Sequence, residues 1–163
     1  MSKTLRRILI ATVALVATLA LAGVAYADSP HFINASATID NSTGSLICSF
    51  KEAGLGQVPT ADVTCSASAT VVYQCFNNGG NHPKAGNKET IHADVSGGGT
   101  FPVRNGQTTG SITVAPPGPG DFGCPSGQTL FLQSVEYDNV VISGQGASVS
   151  VGDVGPVTLH IAV

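Results

Sequence analysis

Histidine, carboxylate and cysteine side chains are the groups in this sequence with the chemistry for acid/base, metal or redox work, and their spacing is informative. His31, His82, His92 and His160 lie far apart, so no pair carries a ligand spacing by itself. Glu136 and Asp138 stand two residues apart, which on a strand puts both carboxyls on one face with Cβ atoms about 6.5 to 7 Å apart. Paired carboxylates at that distance can run acid/base chemistry or hold Ca²⁺. The competing reading, the outward face of an antiparallel strand, is preferred because no other acidic residue is tied to the pair by spacing. Asp40 to Gly44 fails the EF-hand pattern at its third and fifth positions. The sequence has no G-x-S-x-G elbow, H-E-x-x-H helix, phosphate loop or C-x-x-C pair. It therefore assigns no catalytic residue, metal ligand or cofactor.

The strongest local signal is the polar stretch from Phe76 to Lys88. It contains Asn77, Asn78, Asn81, His82 and Asn87, three glycines, and the two lysines Lys84 and Lys88. Asn and Gly tolerate positive φ, so such a loop can hold a fixed shape and aim backbone N–H groups outward. Long ordered loops are often functional. Two readings stand side by side: a contact surface for a partner, or a structural crossover whose Asn side chains satisfy backbone groups. Lys84 and Lys88 tilt the expectation toward an anionic partner.

The elements that must position these residues begin after a targeting segment. Lys3, Arg6 and Arg7 form a basic n-region, Ile8 to Ala22 an apolar h-region, and Ala25-Tyr26-Ala27 an A-x-A cleavage site. Residues 1–27 are thus expected to be a signal peptide and 28–163 one secreted domain beginning at Asp28. The apolar run to Val24 falls short of the roughly 20 residues a membrane span needs, and no lipid-bearing Cys or C-terminal anchor is visible, so no membrane insertion is expected after cleavage. Ten acidic side chains then face only Lys51, Lys84, Lys88 and Arg104, a net charge of −6. That sign argues against nucleic acid and anionic membranes as partners.

Cys48, Cys65, Cys75 and Cys124 all follow the targeting segment, and export places them where thiols oxidise. Two disulfides are expected; four cysteines allow three connectivities. Cys48 with Cys65 on neighbouring strands, and Cys75 with Cys124 closing a long loop, is the preferred pairing. Each bridge is worth about 3 to 4.5 kcal/mol on the chain-entropy model.

No window carries helical periodicity, whereas strand patterns recur. Phe32 to Ile39 alternates Ile33, Ala35, Ala37 and Ile39 against polar residues, and Asp40 to Gly44 turns the chain. Ser45 to Lys51 and the long run Val58 to Phe76 follow, the latter with Val63, Cys65, Ala67, Ala69, Val71, Tyr73 and Cys75 on one parity. Thr90 to Val95, a flexible turn at Gly97-Gly98-Gly99, Gln107 to Ala115, Thr129 to Ser143 bent near Asp138-Asn139, Ala147 to Val151 and Val157 to Val163 complete the set. The prediction is an all-β, disulfide-stapled antiparallel sandwich of immunoglobulin-like topology, with a small β-barrel as the alternative. Tryptophan is absent, so the buried Trp of true immunoglobulin domains has no counterpart.

The segments Phe50-Lys51-Glu52-Ala53-Gly54-Leu55-Gly56, Tyr73 to Lys88, Arg104-Asn105-Gly106-Gln107 and Cys124-Pro125-Ser126-Gly127-Gln128 together resemble a group of small exported actinobacterial proteins. The resemblance runs from about Phe32 to Ile142. It implies a compartment and a host type, adds support for the Cys75–Cys124 bridge, makes N-glycosylation at Asn34 and Asn41 implausible, and implies no activity. The functional expectation is a secreted, non-catalytic binding or structural protein that contacts an extracellular protein or envelope component. A secreted protease inhibitor using a disulfide-pinned loop is the alternative, although the cysteine spacing does not match the two-disulfide subtilisin inhibitors of actinobacteria. A wall-polymer or carbohydrate hydrolase using Glu136 and Asp138 is the weakest reading.

Overall fold

A computed structural model describes residues 29–77 and 87–163. Among these residues seven strands form in chain order: β1 (His31–Ile39), β2 (Leu46–Ala53), β3 (Thr60–Asn77), β4 (Lys88–Pro102), β5 (Gln107–Val114), β6 (Gln128–Ser143) and β7 (Ser148–Ala162). They make two antiparallel sheets, β1-β2-β5 and β4-β3-β6-β7. This is the immunoglobulin-like arrangement expected, and the sheets do not close into a barrel.

The core lies between the sheets and follows the two-residue period of β3. Val63, Cys65, Ala67, Ala69, Val71, Tyr73 and Cys75 all point inward and are buried, while the intervening residues face out. From the opposite sheet come Leu46, Cys48 and Phe50 on β2 and Ile112 and Val114 on β5. Tyr137 on β6 is the largest fully buried side chain and donates its hydroxyl to the Gly44 carbonyl at 2.8 Å. That bond lets a polar ring fill a core without tryptophan, and burial pushes the phenol up to about 12.

Both cysteine pairings are those expected from the sequence. Cys48–Cys65 does not join neighbours in one sheet, however: β2 and β3 belong to different sheets, so this bridge crosses the core.

Three sequence expectations need correction. Gly97-Gly98-Gly99 is not a turn, because β4 runs through it and pairs with β3 from Thr60–Pro102 to Gln74–Lys88 without a slip. A Cβ on Gly97 would come within 3.2 Å of Val114 Cγ2 and 3.3 Å of the Thr113 carbonyl, so that glycine allows β4 and β5 to approach across the sandwich. The two C-terminal strands are one, β7, which absorbs Gly152 and Pro156 at a sheet edge through repeated register shifts against β6. Ile33 is 54% exposed rather than inward. A bulge between Phe32 and Asn34 takes it out of register, and Phe32 packs against the core with Ala35, Ala37 and Ile39. The expected bend in β6 is present as a bulge around Asn139, whose φ is 54°.

Candidate functional site

The β3–β4 connection leaves the sandwich at the end where β6 begins and β7 finishes. Its first member, Asn77, closes β3 opposite Gln128, and Asn87 directly precedes β4. Gln128 Nε2 donates to Asn77 Oδ1 at 2.8 Å, and Asn87 Nδ2 donates to Gln128 Oε1 at 2.9 Å. One glutamine on β6 therefore ties both stems of the connection together, with its amide oxygen and nitrogen each used once. Two residues back, Cys75 is bridged to Cys124 with Cα atoms 5.6 Å apart, and Tyr73 donates to the Pro117 carbonyl at 2.8 Å. The β5–β6 connection, 115–127, is thus fastened to β3 at two points beside the loop stems.

A ring cluster completes this end. Phe131 and His160 stack with centroids 4.0 Å apart, and Phe76 meets both edge-on. Gln133 Nε2 lies 2.9 Å from His160 Nδ1, fixing the ring, and His160 remains exposed on the outer face.

Of the seven loop residues singled out by sequence, Asn77 and Asn87 serve as stem clamps. Lys88 is exposed at the start of β4, opposite Gln74. Asn78, Asn81, His82 and Lys84 lie outside the described residues. Both stem asparagines bond a side chain, that of Gln128, and not the backbone groups that the structural reading of the Asn content invokes. Sequence reasoning missed Gln128, whose signal was its position at the start of a strand and four residues after Cys124.

Glu136 and Asp138 occupy the outer face of the four-stranded sheet, opposite Thr70 and Ser68. Across β3 the same rows reach His92 and Asp94 on β4. The Thr70 hydroxyl is 3.0 Å from His92 Nδ1, and Ser68 donates to Asp94 at 2.8 Å. These β3 hydroxyls face away from the carboxylate pair, which no hydrogen bond draws together. Next to it a shallow cavity of about 370 Å³ opens where β6 bulges, lined by Ser66, Ser68, Asp94, Ser96 and Asn139 among others. No group of three or more His, Cys, Asp or Glu side chains among the described residues is arranged to hold a metal ion.

Asp40 is occupied with its own turn. It accepts from the Ser42 hydroxyl and backbone N–H and from the Thr43 hydroxyl, bonds that hold its carboxyl below the ordinary range. His31 places Nδ1 2.8 Å from the Ser29 carbonyl at the N-terminal end of β1.

One carboxylate has an environment unlike the rest. Glu52, beyond the strand end expected from sequence, points into the core as the last inward residue of β2 and is fully buried. Its Oε1 accepts the Gln145 N–H at 3.0 Å, Oε2 has no partner, and burial raises its pKa above the usual 4.5. Gly144 lies flush against the carboxyl, where a Cβ would overlap Oε2. This lies at the end of the sandwich opposite the loop.

Among the described residues of the loop end, amide clamps, a disulfide and a ring cluster are assembled side by side. Comparison with known proteins gives no family to set beside this geometry: no family model, curated protein or solved structure matches the chain.

Proposed function

We propose that the chain is a secreted, non-catalytic binding or structural protein, acting outside the cell or at its envelope, whose contact surface is the β3–β4 loop from Asn77 to Lys88. The observation that carries this reading is the anchoring of the loop stems: the Asn77–Gln128–Asn87 amide chain and the Cys75–Cys124 bridge concentrate restraint where the chain enters and leaves its most polar segment. Holding both ends of a connection lowers the ordering entropy that binding must overcome. Two disulfides are typical of extracellular proteins, and this agrees with the basic, apolar and A-x-A pattern of residues 1–27. The resemblance to small exported actinobacterial proteins is part of the same proposal.

Lys84 and Lys88 supply positive charge on an otherwise acidic domain, so the partner has an anionic component. Isolated bacterial cell wall, with its anionic polymers, is the probe. The wild-type protein is expected to be retained at low salt and released by high salt. The Lys84→Ala, Lys88→Ala double variant should lose retention roughly tenfold, with its thermal midpoint within a degree or two of wild type. Unchanged retention, or a variant that unfolds, would remove the loop as a contact surface.

A further inference from the structure

The sandwich has four edge strands, and three carry features that discourage pairing with another chain. β1 is broken by the bulge at Ile33, β5 has eight residues and runs into Pro116-Pro117, and β7 contains Pro156 and repeated register shifts. β4 differs. Its 15 residues pair with β3 without a slip, no strand among the described residues lies on its other side, and its one proline is the last residue.

The sequence of this open edge is complementary to itself. Around Ala93 the residues read Thr90-Ile91-His92, then Asp94-Val95-Ser96. Turning a second β4 antiparallel about Ala93 sets His92 opposite Asp94, Ile91 opposite Val95, and Thr90 opposite Ser96, each pair on one face of the sheet. Lys88 and Glu89 then meet Gly98 and Gly97, so no like charges face each other.

The side chains are held ready for this register. Thr70 fixes His92 through Nδ1, leaving Nε2 free, and Ser68 uses only Oδ1 of Asp94. Both residues are exposed on the outer face, while Ile91 and Val95 are half-exposed on the core side of the edge. We propose that β4 pairs with β4 of a second copy of this chain, antiparallel and centred on Ala93, joining two four-stranded sheets into one of eight strands. The interaction is isologous, so the His92–Asp94 contact is made twice. It uses a surface separate from the loop contact proposed above and stands whether or not that contact is made.

Sedimentation velocity on the secreted, disulfide-bonded protein over a concentration series is the test. A dimer is expected. His92→Asp sets two carboxylates opposite each other at both positions and should raise the dissociation constant about tenfold or more, as should Asp94→His through paired imidazoles. The double swap, His92→Asp with Asp94→His, restores the complement and should return the dissociation constant to near the wild-type value. Hydrogen exchange of wild-type β4 amides, slowing as concentration rises, checks the same edge without a substitution. A monomer at every concentration, single swaps without effect, or a double swap that fails to recover would each overturn the proposal.

Discussion

Replacing Cys75 and Cys124 together with alanine is expected to lower stability by about 4 kcal/mol, the chain-entropy value for a closed loop of this length. The bridge spans 49 residues, against 17 for Cys48–Cys65, so it constrains the unfolded chain more. In a domain of this size the thermal midpoint should fall by about 10 °C or more. The loss has a location as well as a size. Cys75 stands two residues before the Asn77 clamp, and Cys124 four residues before Gln128, so the bridge and the amide chain act on the same stems. Hydrogen exchange should therefore show loosening first at Asn77, Asn87 and the β5–β6 connection, with the β1-β2-β5 sheet retaining its protection. Uniform loss of protection across both sheets would mean that the bridge stabilises the sandwich generally and has no special relation to the loop.

Glu52→Gln is expected to act in the opposite direction. The Glu52 carboxyl is sealed between Gly144, Gln145, Phe32 on β1 and Thr108 on β5, none of which titrates. Lys51 is on the opposite face of β2, and His31 and Arg104 are exposed. Asp62 accepts from Thr100 on the outer face. No cation among the described residues offsets the burial, which raises the folded-state pKa above the unfolded value of 4.5. The folded protein consequently holds this proton more tightly than the unfolded chain. The associated stability is complete below about 4.5 and declines as pH rises through the folded value. A neutral glutamine carries no buried charge and escapes that decline, so the variant should be more stable than wild type at neutral pH. The advantage should vanish toward pH 4. Urea midpoints measured at intervals between pH 4 and 8 would reveal the crossing profiles, and a variant less stable than wild type at pH 7 would show that the carboxylate is satisfied there.

The main features of the fold were legible because β3 writes its orientation plainly. Seven apolar or cysteine residues from Val63 to Cys75 stand on one parity, with small polar residues between them as far as Thr70, and all seven face the core. The preferred cysteine pairs both form, although Cys48 and Cys65 lie on strands of different sheets and not on the neighbouring strands that the preference assumed. Three features depended on contacts that no local pattern carries. Gly97 read as punctuation, and only the approach of β5 shows that it is a place where a side chain does not fit. Ile33 matched the apolar parity of β1, yet one bulge moved it to solvent and set Phe32 in its place. Glu52 fell just past the expected strand Ser45 to Lys51, carboxylates are seldom buried, and the hairpin that covers it comes from residues 144–146, far along the chain.

The candidate site shows the same division. The polar run Asn77 to Lys88 was visible from composition, whereas the use of Gln128 as the link between its stems required β6 to lie beside β3. The acidic pair Glu136 and Asp138 lay on an outer strand face, as its spacing implied. The β4 edge was not legible as an edge while Gly97-Gly98-Gly99 was taken for a turn, since that reading cut the strand in half.

The proposed role outside the cell rests on export and oxidation of this chain, and intact mass of the protein across culture medium, salt-washed wall and membrane fractions tests both at once. The expected species begins at Asp28, is four hydrogens lighter than the reduced chain, and is found in the wall wash or the medium. A membrane-bound species still carrying residues 1–27, or one with four free thiols, would contradict it.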